Sequence, residues 1–146
     1  MAFRFSLAAV LKYREALEQR ELAALERVQA EIALLEVQIQ TAADDLGRLE
    51  RRRDQELHRG MPSVHLQDAI AQEHAVNHLS KQLTEKREEH KARRQELLRA
   101  YEEAHQKREL LDKLRARRFG QYSHEQAKSE QAAIDDLFLS RWNRSQ

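Results

Sequence analysis

The 146-residue chain has no cysteine, one proline and three glycines, and only 5% of its residues are aromatic. Without cysteine there is no disulfide scaffold, thiolate metal site or cysteine nucleophile, a usage that suits a reducing compartment. An average domain carries about 7% glycine and 5% proline, so the turns that fold a sheet or a compact α/β domain are mostly missing. Long hydrophobic runs are missing too. The longest, Leu7 to Leu11, falls far short of the roughly 18 residues a membrane span needs. Met1 to Leu11 lacks the basic start and cleavage site of a signal peptide, and none is expected.

What the chain does have is charge and helix formers. Charged residues make up 35% against a globular average of about 25%, and Ala, Leu, Glu, Arg, Lys and Gln dominate. The 26 basic and 25 acidic groups nearly cancel, to +1. Such a balance points to paired helix faces and supplies no global attraction to nucleic acid or membrane. Long helices with too little apolar mass for a wide core are expected.

The one strong breaker is Arg59-Gly60-Met61-Pro62-Ser63. Pro62 disfavours helix before it, and Ser63 is a candidate cap for the next helix. The pattern predicts a helix over about 5–58, a bend over 59–63 and a second helix over about 64–140. Phe119-Gly120, followed by the capping-box pattern Ser123-His124-Glu125-Gln126, marks a candidate joint near 120. Residues 63–140 outrun the first arm by more than twenty, so the surplus is expected either as a short extra helix beside the bend or as an overhang at the C-terminal end.

Leu25, Val28, Ile32, Leu35, Ile39, Ala42, Leu46 and Leu49 step alternately by three and four, the seam of a left-handed coiled coil. Run backwards, that frame lands on Glu21, Glu18 and Arg14. The apolar set there is instead Phe3, Leu7, Val10, Leu17 and Ala24, which predicts a stutter near Ala24. In the second arm Val76, Leu79, Leu83, Leu97, Ala100, Ala104, Leu111 and Leu114 share a frame that also carries Lys86, His90, Arg93 and Lys107. Either long stems snorkel over this poor seam or part of it belongs to another protein.

Residues 1–58 hold 9 basic and 11 acidic groups, and residues 81–118 hold 13 and 8. Opposite net signs and a short connector favour an antiparallel pairing of the arms. The expected fold is all-α, a single domain built as a long antiparallel two-helix coiled-coil hairpin, with arms of about 80 Å. A monomer is the first reading and a dimer of straight helices the competing one.

Catalytic and ligand chemistry is thin. His74 and His78 sit at i, i+4, but Glu73 points about 100° away and no third metal ligand is well placed. Lys113-Leu114-Arg115-Ala116-Arg117-Arg118 can touch phosphates, yet no aromatic occurs from residue 14 to 100 to stack a base. No phosphate loop or nucleophile arrangement is present. No enzyme activity, cofactor, metal, nucleic acid or small-molecule substrate is expected. The aromatics gather at the two chain ends, as Phe3, Phe5 and Tyr13, then Phe119, Tyr122, Phe138 and Trp142. In an antiparallel hairpin these ends meet, either as a docking surface or as a plug against fraying.

Phe3-Arg4-Phe5-Ser6-Leu7, then Val10-Leu11, Tyr13-Arg14 and Glu18, resembles the opening of FliJ proteins, the coiled-coil component of the bacterial flagellar export apparatus. Lys113-Leu114, Glu125-Gln126 and Ile134-Asp135-Asp136-Leu137 to Arg141 resemble the family's closing helix. The resemblance implies a non-enzymatic cytoplasmic protein, peripherally associated with the inner membrane. It implies a central stalk that binds the hexameric export ATPase, contacts the cytoplasmic domain of the membrane export gate and escorts export substrate chaperones. Stalk proteins of virulence type III secretion are close cousins and remain an alternative, as does a generic structural or nucleic-acid-binding rod. With that resemblance in hand, the ATPase contact is expected where both termini meet. Its candidates are Phe3, Phe5, Leu7 and Arg14 from the first arm, and Arg115, Arg117, Arg118 and Tyr122 from the second. Leu46, Leu66, Ile70 and His74, toward the bend, are the candidates for facing the export gate.

Overall fold

The computed structural model describes residues 2–146. Among them there are two helices and no strand, α1 over Ala8–His58 and α2 over Ser63–Ser145. The fold is all-α, and the two long helices pack against each other as a hairpin. The chain divides into two compact units, one formed by the residues up to Arg20 with Glu102–Gln146, the other by Glu21–Tyr101.

Helix α1 begins three residues later than the pattern suggests. The Ala8 N–H donates to the Phe5 carbonyl at 3.1 Å, and the Leu11 N–H to the Leu7 carbonyl at 2.9 Å. Leu7 is therefore the residue that receives the first helical bond.

The turn lies in the second unit. The N–H of Arg59 donates to the Glu56 carbonyl at 3.1 Å and that of Gly60 to Leu57 at 3.2 Å. Gly60 sits at φ +86°, the left-handed stop that glycine provides without steric cost. The Leu66 N–H then donates to the Pro62 carbonyl at 3.1 Å. Pro62, rather than the expected Ser63, thus holds the cap position of α2, where its missing N–H leaves no donor orphaned. A Cβ at Gly60 would meet nothing within 4 Å, so only the backbone opposes a side chain. Gly60→Ala is expected to lower stability by about 1 kcal/mol, and Gly60→Asn by less. Urea unfolding followed by circular dichroism measures both.

No third helix lies beside the bend among the described residues, and no joint interrupts α2 at Phe119-Gly120. Strong helix formers lie on both sides of Gly120, as Arg115–Arg118 before it and Glu125–Lys128 after it. A single glycine costs only about 1 kcal/mol in an otherwise favourable helix, too little to break it. The surplus length is therefore the end of α2 in the first unit, where every residue from 123 onward is exposed.

In the second unit the α1 seam is the expected one. Leu25, Val28, Ile32, Leu35 and Ala42 are buried, and Ile39, Leu46 and Leu49 are half-buried. The stutter expected near Ala24 does not occur. In the first unit Leu11 and Glu18 are buried at heptad spacing, in phase with Leu25, whereas Val10 is 42% exposed. The acidic residue takes the seam position because α2 brings it a cation, Arg108.

Helix α2 keeps one expected column, Val76, Leu83, His90 and Leu97 in the second unit and Ala104 and Leu111 in the first. Its other column lies one residue later than expected. Ser80, Arg87, Arg94 and Tyr101 are half-buried, as is Arg108 in the first unit, while Leu79, Lys86, Arg93 and Lys107 are exposed; of the expected column only Ala100 and Leu114 are half-buried. Arginine stems cover apolar surface while their heads find charge or water, which lets a polar residue occupy a seam position that a leucine leaves empty.

Candidate docking site

The first unit gathers the aromatics of both ends. Phe3 meets Phe119 edge-on at 5.3 Å between ring centroids and Tyr122 at 5.5 Å, the separations at which aromatic pairs attract beyond their buried area. Phe5 is buried at 9% exposure. The Arg118 guanidinium stands 5.7 Å from its ring and donates to Ser6 Oγ at 2.7 Å. Arg115 and Asp112 border an open groove of about 420 Å³ whose apolar walls are Phe3, Ala116 and Phe119.

Below this cluster lies a charged seam layer. Arg108 donates through Nε to Glu18 and through Nη1 to Asp112, and its Nη2 lies 3.4 Å from the second Glu18 oxygen. His105 Nδ1 stands 3.2 Å from that same oxygen. The Arg108 guanidinium holds the Glu18 carboxyl below its ordinary pKa of 4.5, against the opposing pull of burial, and His105 adds to the effect. Glu18 and Asp112 in turn raise the Arg108 pKa. The layer is polar but satisfied.

Beyond Tyr122 the exposed end of α2 carries Ile134, Leu137, Phe138 and Trp142, at 58, 62, 66 and 55% exposure. Their spacing of three, four and eight from Ile134 places them on one helix face. Four large apolar side chains on one uncovered stripe exceed the scattered surface leucines of ordinary proteins.

The second unit has its own polar contacts. Arg53 donates to Glu73 at 2.5 Å, and His90 Nε2 lies 3.1 Å from Glu31. Leu46 and His74 share a shallow groove with Glu50, Glu73 and Asn77. Leu66 is half-buried and Ile70 is 38% exposed.

The structure thus brings Phe3, Phe5, Arg118 and Tyr122 into one cluster, with Arg115 on its groove. Leu7 is half-buried at the start of α1, and Arg117 is exposed. Arg14 is half-buried, with its guanidinium 5.7 Å from the neighbouring Tyr13 ring. Phe5 and Tyr122 serve packing as much as display.

A family model described as the flagellar FliJ protein matches residues 3–146, nearly the whole chain. The chain belongs to the FliJ family. No curated protein and no solved structure matches it. FliJ membership gives the protein a role related to flagellar export. The FliJ match covers both helices and includes the exposed stripe at the end of α2. Sequence reasoning counts Phe138 and Trp142 among the end aromatics but leaves the stripe out of the candidate contact residues, although the spacing of Ile134, Leu137, Phe138 and Trp142 is readable. No helix among the described residues is long and apolar enough to cross a membrane.

Proposed function

We propose that this FliJ-family chain is the central stalk and adaptor of the export ATPase hexamer, binding it through the first unit and promoting hydrolysis by favouring ring assembly. The observation that carries this reading is the uncovered stripe of Ile134, Leu137, Phe138 and Trp142. It lies on the same unit as the Phe3–Phe119 cluster and the exposed Arg115 and Arg117. Aromatic and arginine anchors dominate the energetics of most interfaces, and guanidinium groups meet carboxylates in two-pronged contacts. The role is mechanical, without a reaction of its own.

The turn-proximal groove with Leu46 and His74, together with Leu66 and Ile70, is then available to the cytoplasmic domain of the membrane export gate. Escort of emptied substrate chaperones completes the role, on the cytoplasmic side and peripheral to the inner membrane. Purified export ATPase mixed with the chain is expected to co-elute with it and to hydrolyse ATP faster. An unchanged rate at saturating chain would overturn the stalk reading in favour of a structural coiled coil.

A further inference from the structure

We propose that the outward face of α1 between Ala30 and Thr41, in the second unit, docks an amphipathic helix with lysine or arginine flanks, supplied by another protein. The surface is separate from the residues assigned to the ATPase and to the export gate.

Two apolar faces run along this part of α1. Val28, Ile32, Leu35 and Ala42 are buried in the seam. On the opposite side Leu34 and Val37 stand 59% and 63% exposed, in line with exposed Ala30, Ala33 and Thr41. At 100° per residue the two sets lie nearly diametrically apart, and a helix apolar on both sides is ordinarily covered on both. Thr41 adds to the apolar character. Its hydroxyl donates to the Val37 carbonyl at 2.9 Å, so the group is spent on the backbone and the methyl is left to solvent. The stripe runs about 17 Å, three turns of helix, which is the reach of a helix docked through anchors at i, i+3, i+4 and i+7.

The charge around it selects the occupant. From Val28 to Gly47 the chain has Glu31, Glu36, Asp44 and Asp45 and no basic residue, although the whole chain is as basic as it is acidic. Arg48 is paired with Asp45 and Glu31 lies 3.1 Å from His90 Nε2, so Glu36 and Asp44 carry the acidic field along the stripe and Arg27 stands at its far end. A second copy laid on the same face would set these acids against its own, which costs free energy. An anionic lipid surface is repelled for the same reason. A partner helix with basic flanks gains attraction where both of those lose it.

The test uses the full chain and two labelled synthetic helices that share one leucine stripe, with either lysine or glutamate flanks. Fluorescence anisotropy is expected to show binding of the lysine-flanked peptide, and at least about tenfold weaker binding of the glutamate-flanked one. Leu34→Gln with Val37→Gln, which removes the apolar contact without adding charge, is expected to weaken lysine-peptide binding by about tenfold or more. Both positions are exposed, so its circular dichroism and ATPase stimulation should match the parent. Equal binding of the two peptides, or equal binding by the substituted chain, overturns the proposal. So does a dimer of the parent chain, seen by light scattering, that the same substitutions dissolve, because the face would then belong to a second copy.

Discussion

Arg108→Ala is expected to cost about 3 kcal/mol, more than any surface substitution on the chain, because it strands the carboxylate of Glu18 inside the seam. The Glu18 side chain keeps only 9% of its exposure, and with Arg108 gone His105 is its one remaining partner in the layer. The pH dependence separates this cause from lost packing. A carboxyl whose folded pKa is depressed lends stability that is fully present above its unfolded value of 4.5 and is lost as pH falls through the lowered folded value. The parent's resistance to urea should therefore fall as pH drops below 4.5, and the gap to Arg108→Ala should close over the same range. A gap that stays constant in acid would mean that the guanidinium contributes through its stem alone. Joint replacement of Glu18 and Arg108 by leucine should restore most of the stability, since a satisfied buried pair is worth little more than the apolar residues that replace it.

On the proposed stalk role, Phe138→Ala with Trp142→Ala is expected to abolish stimulation of the export ATPase while leaving helicity unchanged. Both side chains are more than half exposed, so folding does not depend on them. Loss of two such anchors weakens an interface by about 3 kcal/mol, roughly a hundredfold in affinity. Phe5→Ala is the informative contrast. Its ring is buried, so that variant should unfold more easily in urea before any effect on the ATPase can be read. Full stimulation by the Phe138/Trp142 variant would move the ATPase contact off the end of α2.

The two helices and the turn are legible because their signals are local. Gly60 and Pro62 punctuate an otherwise unbroken run of helix formers, and the seam from Leu25 to Leu49 repeats without a polar residue. Legibility fails where side chains from the two helices decide the outcome together. Glu18 looks wrong for a seam until Arg108, ninety residues later, is set beside it. Taking the helix phase from Val10 and Leu17 instead invents a stutter. In α2 the preference for Leu79 over Ser80 follows hydrophobicity, while packing chooses the column of Arg87, Arg94 and Arg108. The capping-box pattern at Ser123 misleads for a related reason, since a cap signal inside a strong helical run has nothing to terminate. The cluster at Phe3 and Phe119 is legible from composition, because aromatics crowded toward two ends have few other places to meet.

The uncovered end of α2 has a consequence for exchange with solvent. From residue 123 to 145 every side chain is exposed and none of the described residues packs over the helix, so its backbone hydrogen bonds lack the tertiary packing that supplies most helical stability in proteins. Such a segment opens at a free-energy cost near zero. Its amides are expected to trade hydrogen for deuterium faster than those of the buried Leu25–Ala42 stretch. Whatever settles on the stripe slows that trade residue by residue, so the segment carries its own record of occupancy.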